Sequence, residues 1–142
     1  MQVFISHASR DRELAKRLTA ELSQAGFHVW NPDDEIYPGD NVPKKIGQAM
    51  EDSEVMIVLW TRNTRDSADK LARDVQFALT SGNYRGRLVP VSVGYKTFLA
   101  RKDVPWVLKD FDPVYIEKES DSFERVVSRV RDLVKSNCNV AL

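Results

Sequence analysis

The stretch LARDVQFAL, residues 71–79, contains a carboxylate that a helix could carry to the edge of a cleft. Its apolar residues form one stripe on a helical wheel: Leu71, Val75, Ala78 and Leu79. Asp74 falls about 80° from the middle of that stripe, at the boundary between core and solvent. An acid in this position could act on a ligand. It could also be a solvated charge that pairs with Lys70 at a gain of a few tenths of a kcal/mol.

Other side chains that could hold a ligand lie at the ends of the first two predicted strands. Ser6 closes the run VFIS, His7 and Ala8 follow it, and Trp30 closes FHVW. Ser6 could bind a ligand or cap the next turn, and His7 could contact a ligand or be a satisfied loop residue. Trp30 could stack on a base or belong to the core. His28 has no ligand-type partner nearby in the sequence, so we predict no metal site.

Short apolar runs alternate with helical stripes along the chain. The predicted strands are residues 3–6, 27–30, 54–60, 87–93 and 112–117. The predicted helices are residues 14–25, 43–50, 66–80 and 123–134. This alternation predicts an α/β fold, a flavodoxin-like open sheet of five parallel strands with helices on both faces. Such a sheet binds ligands beyond the carboxyl ends of its strands, where the strand order switches direction.

Single residues predict where some elements begin and end. Ser9 or Asp11 could cap the first helix, and Gly26 should stop it. Pro43 suits the first turn of the second helix. Pro90 removes a ladder donor, which predicts an edge position or a bulge for the fourth strand.

The bulk composition indicates one globular domain, residues 1–142. Lys and Arg number 21 and so do Asp and Glu, which argues against nucleic acid as a partner. The sequence holds no apolar run long enough to span a membrane, and its start lacks the features of a secretory signal. The single cysteine, Cys138, has no disulfide partner, and we therefore expect a cytoplasmic protein.

Three other protein families with this architecture need residues that the chain lacks. A dinucleotide-binding fold would place three glycines after the first strand, where this sequence reads SHASRD. A phospho-accepting receiver would end its third strand with a carboxylate, where this chain has Trp60 and Thr61. A flavodoxin would need a hydroxyl-rich phosphate loop, and Ser6 and Ser9 are a poor match.

Four segments in order, VFISHASRD, YPGDN, EVMIVLW and RLVPVSVG, carry a family resemblance. Together they resemble a TIR (Toll/interleukin-1 receptor) domain of the bacterial type. In that family the first strand typically ends in F-I-S followed by His or Tyr, a G-D turn follows, and the fourth strand often contains Pro. The order and spacing of these segments across residues 2–94 make the resemblance specific.

The resemblance implies an enzyme that cleaves the nicotinamide–ribose bond of NAD by hydrolysis, cyclisation or ADP-ribosyl transfer, with NAD as substrate and no cofactor. The transition state is oxocarbenium-like and needs a nearby carboxylate. In the family this is a Glu four residues after a Trp, and here the two positions hold Asp74 and Lys70. The implied substrate-binding residues are Ser6, His7, Ala8, Trp30 and Lys70.

The resemblance also implies a role in prokaryotic immune signalling and self-association with other TIR domains through residues 31–42 and the third helix. Two other functions stay open. The chain could be a non-catalytic TIR module that signals by assembly, since Asp74 is one methylene shorter than Glu. It could also resemble nucleoside deoxyribosyltransferases, which share the architecture and use a carboxylate nucleophile.

Overall fold

A computed structural model of the chain describes residues 2–30, 35–80, 84, 87–94, 111–118 and 120–140, without the side chains of 65–68 and 135–140. Its strands are β1 (Gln2–Ser6), β2 (His28–Val29), β3 (Val55–Trp60), β4 (Leu88–Val93) and β5 (Val114–Ile116). Its helices are α1 (Arg12–Gln24), α2 (Val42–Asp52), α3 (Ala68–Thr80) and α4 (Glu124–Val140). Two 3₁₀ turns, Ser9–Asp11 and Arg62–Ser67, precede α1 and α3.

The strands form one five-stranded sheet in the order β2-β1-β3-β4-β5, and every pair is parallel. This confirms the predicted flavodoxin-like sheet. The chain moves outward from β1 to β2 and then in the opposite direction from β3 to β5. The switch point therefore lies between the carboxyl ends of β1 and β3, where this class of sheet binds its ligands.

Different helices pack on the two faces of the sheet. Successive side chains of a strand point to opposite faces, so each face has its own core cluster. One core cluster joins residues of β1 and β3 such as Ile5 and Ile57 to Leu18 of α1 and to Val126 of α4. The opposite cluster consists mainly of strand residues and side chains from α2 and α3: Phe4, Met56, Val58, Trp60, Leu88, Ala49, Met50, Leu71, Val75 and Ala78. Helices thus cover both faces, as predicted.

Helix boundaries follow the predicted signals except at the first cap. Gly26 has a φ of 96°, which ends α1 in the left-handed region that glycine tolerates. Pro43 lies in the first turn of α2, and the side chain of Asn41 accepts a hydrogen bond from the Lys44 amide. Asp11 stands at the N-terminus of α1, but its side chain makes no cap hydrogen bond. Its carboxylate has other partners, described below.

The prediction for Pro90 was wrong, because β4 lies inside the sheet and pairs with β3 without interruption. On the β5 side, the Gly94 amide donates to the Ile116 carbonyl at 2.8 Å. The two-residue repeat of a parallel ladder would place residue 90 opposite the Asp112 carbonyl. That carbonyl accepts a hydrogen bond from Arg129 Nη1 at 2.7 Å instead. The donor that proline lacks is thus supplied by an arginine of α4.

β2 is shorter than predicted, because only His28 and Val29 pair with β1. The predicted assembly segment 31–42 is described from Glu35 onward, and residues 31–34 lie outside the described part. None of the helices in the described ranges has the length and apolar character needed to cross a bilayer.

Candidate functional site at the switch point

Asp74 and Ser6 meet at the switch point. Ser6 is the last residue of β1 and is 2% exposed. Its Oγ donates a hydrogen bond to Asp74 Oδ2 at 2.6 Å. Ser6 lies on the same sheet face as Phe4, and α3 covers that face. Asp74 is at the edge of the apolar stripe of α3, so its carboxylate reaches the end of β1. Asp74 is therefore half-buried against the sheet edge rather than held in a surface pair with Lys70.

The environment of Asp74 disfavours its charged form. Burial raises the pKa of this carboxyl above its ordinary value, and the effect outweighs the Ser6 hydrogen bond and the positive charges of Lys70 and Arg73, which act in the opposite direction. A carboxylate that is incompletely solvated gains more from a nearby positive charge than a carboxylate in water does. Asp74 is thus suited to stabilise a cation that forms beside it.

His7 and Lys70 form the rim next to this pair. His7 Nδ1 lies 3.3 Å from the Ile5 carbonyl oxygen, and Lys70 Nζ donates to the His7 carbonyl at 3.3 Å. Burial has the largest effect on the pKa of His7 and lowers it below its ordinary value. The imidazole is therefore neutral at pH 7. Ser6, His7, Lys70 and Asp74 thus lie together at the switch point, and their role as site residues stays a prediction.

Ala8 and Trp30 lie apart from these hydrogen bonds. Ala8 is buried, and its carbonyl accepts the Asp11 amide at 2.9 Å to start the turn before α1. The ring of Trp30 stacks on Phe4, with centroids 5.9 Å apart and planes 15° from parallel. Trp30 also borders a depression of about 230 Å³ between His28 and α2. Its observed contacts belong to the core and to that depression, and a role in substrate binding stays a prediction.

A second polar cluster, which the sequence analysis missed, lies on the opposite side of the switch point. Asp11 is 3% exposed. Its Oδ2 accepts from Thr61 Oγ1 at 2.7 Å and its Oδ1 from Asn63 Nδ2 at 2.8 Å. We call these three residues the Asp11 clamp, because they join the turn after β1 to the turn after β3. The signal was present in the sequence, since polar residues follow two strands whose carboxyl ends a parallel sheet places side by side.

The described residues of the candidate site supply hydrogen-bonding and ionisable groups. Within the part of the chain that the structure describes, no group of three or more His, Cys, Asp or Glu residues could hold a metal ion. The chemistry available at the switch point is that of a desolvated carboxylate, a neutral imidazole, a hydroxyl and an ammonium group. This set can stabilise a developing cation and accept a proton.

Comparison with known protein families matches residues 3–127 to the TIR domain family. Among curated proteins, the chain is similar to the probable 2' cyclic ADP-D-ribose synthase TcpO of Methanobrevibacter olleyae, with 32% identity over 62 residues. The aligned segment covers 43% of this chain and 18% of that protein, so the match spans less than a fifth of the relative's length. The family match extends over all five strands and most of the helices.

Proposed function

The chain belongs to the TIR domain family, and from that membership we propose that it cleaves the bond between nicotinamide and ribose in NAD. The observation that carries the proposal is the hydrogen bond from Ser6 to Asp74 at the switch point of the sheet. It holds a desolvated carboxylate where an open parallel sheet receives its ligand. The name of the relative, a probable cyclic ADP-D-ribose synthase, supports an NAD-type substrate.

Cleavage places a positive charge on the ribose. The electron pair of the C1′–N bond leaves with nicotinamide, which becomes neutral, and the ribose becomes an oxocarbenium ion. Asp74 lies nearby as an anion whose own solvation is poor, so it gains interaction energy as that cation forms. Its Oδ2 accepts from Ser6, and we assign Oδ1 to the ribose. A catalytic carboxylate one methylene shorter than Glu is thereby fixed in orientation by the strand end.

The acceptor that attacks C1′ determines the product. Water yields ADP-ribose, and a hydroxyl of the same molecule yields a cyclic ADP-ribose, the product class in the relative's name. We propose cyclisation or hydrolysis here, and a product that acts as a signal in a prokaryotic immune response. Product analysis of the same reaction by chromatography distinguishes the two acceptors.

The test is nicotinamide release from NAD by concentrated protein. We expect wild type to release nicotinamide and Asp74→Ala to be slower by on the order of a hundredfold or more, as for other groups that stabilise transition-state charge. Asp69→Ala is the matched control, because Asp69 is an exposed acid on the same helix. Equal rates in wild type and Asp74→Ala would contradict the assignment of Asp74.

A second candidate function, assembly without catalysis, is favoured by a different observation. Two large apolar side chains next to the start of α2 are exposed to solvent, Tyr37 at 64% and Val42 at 43%. They lie in the segment 31–42 that the family resemblance assigns to contacts between TIR domains. If wild type releases no nicotinamide while Asp74→Glu does, the natural chain is an assembly module that has lost its chemistry.

A further inference from the structure

His7 is a titratable residue that lies near Asp74 in the turn after β1. It directly follows Ser6, the residue that holds Asp74, and its own carbonyl is held by Lys70 of α3 at 3.3 Å. The side chain is half-buried. The proposed cleavage step assigns no role to His7, although its imidazole is a titratable group beside the Asp74 carboxylate.

The hydrogen bond of the ring determines its tautomer. Nδ1 lies 3.3 Å from the Ile5 carbonyl oxygen, and a carbonyl can only accept a hydrogen bond. Nδ1 must therefore carry the proton. In a neutral imidazole the other nitrogen, Nε2, then bears the lone pair.

The surroundings keep the ring neutral. Among the described residues, the charged groups that act on it are Lys70 and Asp74 from α3 and Asp11 from the turn before α1. Lys70 disfavours a second positive charge, and the two carboxylates favour one. Burial is the largest of these influences and lowers the pKa of His7. The Asp11 oxygens accept from Thr61 and Asn63, which limits the attraction that Asp11 offers to an imidazolium.

We propose that His7 is the general base of the second half of the reaction and takes the proton of the acceptor hydroxyl through Nε2. After the C1′–N bond has broken, the acceptor oxygen forms a bond to C1′ and its proton moves to Nε2. The resulting imidazolium then loses that proton to water. Hydrolysis therefore consumes NAD and water and yields ADP-ribose, nicotinamide and a proton, so atoms and charges balance.

Asp74 cannot serve as this base at the same time. Its negative charge is needed beside the cation until the new bond has formed, and protonation would remove that charge. Dividing the two tasks between a carboxylate that stays ionised and an imidazole that gains a proton avoids this conflict. This inference rests on the proposed function, since it assigns the acceptor step of the same site.

The first experiment measures the formation of ADP-ribose or its cyclic form, the product of the acceptor step, against pH for wild type, His7→Gln and His28→Gln. The chain has only these two histidines, and His28 is exposed on β2, so His28→Gln is a matched control. We expect His7→Gln to be slower by on the order of a hundredfold, the low end of what general base catalysis contributes. We also expect wild type to slow as pH falls through the lowered pKa of His7, and His7→Gln to lose that decline.

The outcomes separate the two proposals. A wild type that releases nicotinamide, with His7→Gln equal to it in the rate and pH profile of product formation, overturns the base and leaves the proposed function standing. A wild type that is silent together with Asp74→Glu overturns both.

A second measurement reads the tautomer without turnover. Nitrogen-15 NMR of the histidine rings, with His28→Gln to assign the two signals, should show His7 protonated at Nδ1 and bare at Nε2 at pH 7. A His7 ring that carries a proton on Nε2 at this pH would overturn the proposal, whether or not the protein is active.

Discussion

At the residue scale, the same features that suit Asp74 to catalysis should weaken the fold. Burial raises its pKa in the folded chain, so the folded state holds the carboxylate proton more tightly than the unfolded state does. Above the folded pKa the carboxylate is ionised in both states, and the folded state carries the cost of incomplete solvation. As pH falls through the folded pKa toward the unfolded value, that cost disappears.

We therefore predict that Asp74→Asn is more stable than wild type at pH 7. Asparagine keeps the size of the side chain and an oxygen that can accept from Ser6, but it carries no charge. Thermal unfolding should show a Tm a few degrees higher at pH 7, and the difference should shrink as pH falls through the raised pKa of Asp74. Nicotinamide release should be lost in the same variant, which is a trade of activity for stability.

Asp69→Asn is the control for this prediction, since Asp69 is exposed on the same helix and its charge is solvated. A variant Asp74→Asn that is less stable than wild type at pH 7 would show that the Ser6 bond to the charged carboxylate outweighs the desolvation. The environment described for Asp74 would then be wrong.

At the element scale, the Asp11 clamp joins the two turns that border the switch point. Thr61 is 1% exposed, and its Oγ1 donates to Asp11 Oδ2 at 2.7 Å. The same oxygen accepts the amide of Asn63 at 3.0 Å, which forms the turn before α3. Because His7 lies in the turn on one side of the clamp and α3 follows the turn on the other, the clamp helps to fix both sides of the candidate site.

We predict that Thr61→Val destabilises the protein by about 2 kcal/mol, the usual loss for a buried hydrogen bond to a charged group. Valine keeps the shape of the side chain but leaves Asp11 Oδ2 without its donor. Urea unfolding should show a lower midpoint with an unchanged slope. Thr80→Val is the control, because the Thr80 hydroxyl is exposed and, among the residues that the structure describes, bonds to carbonyls of its own helix. Equal midpoints for wild type and Thr61→Val would contradict the stabilising role of the clamp.

Periodicity predicted the elements well where their pattern is local. The apolar run of β3 and the stripe of α3 depend on residues a few positions apart, and both elements appear close to the predicted ranges. The failures at Pro90 and Asp11 involve partners far along the chain. The carbonyl opposite Pro90 accepts a hydrogen bond from Arg129, and the Asp11 carboxylate accepts from Thr61 and Asn63. No local pattern contains such pairs.

For the candidate site, too, local patterns were informative and contacts between distant residues were not predictable. The rule that strand ends of a parallel sheet share one edge, together with the family resemblance, pointed to Ser6, His7 and Asp74. The hydrogen bond between Ser6 and Asp74 spans 68 positions in sequence and required the tertiary structure. The rule did not separate Trp30 from these residues, because a strand-end aromatic can turn toward the core as readily as toward the ligand edge.

At the scale of the whole molecule, the charge balance sets little barrier to self-association. The formal net charge at pH 7 is zero, so copies of the chain repel one another weakly. Tyr37 and Val42 are exposed on the segment that leads into α2, and Lys44 and Lys45 of that helix are exposed beside them. An apolar pair bordered by charge is the usual composition of an interface centre and its rim.

We predict that Tyr37→Ser combined with Val42→Ser weakens self-association at least about tenfold, since each exposed side chain would lose the free energy of burial in a contact. Sedimentation velocity over a range of protein concentrations measures this directly. Gln24→Ser, an exposed polar change at the end of α1, is the control. An unchanged association constant in the double variant would remove residues 35–42 from the interface. If nicotinamide release falls with assembly in the double variant while Asp74 and His7 are intact, the active form of the enzyme is the assembled one.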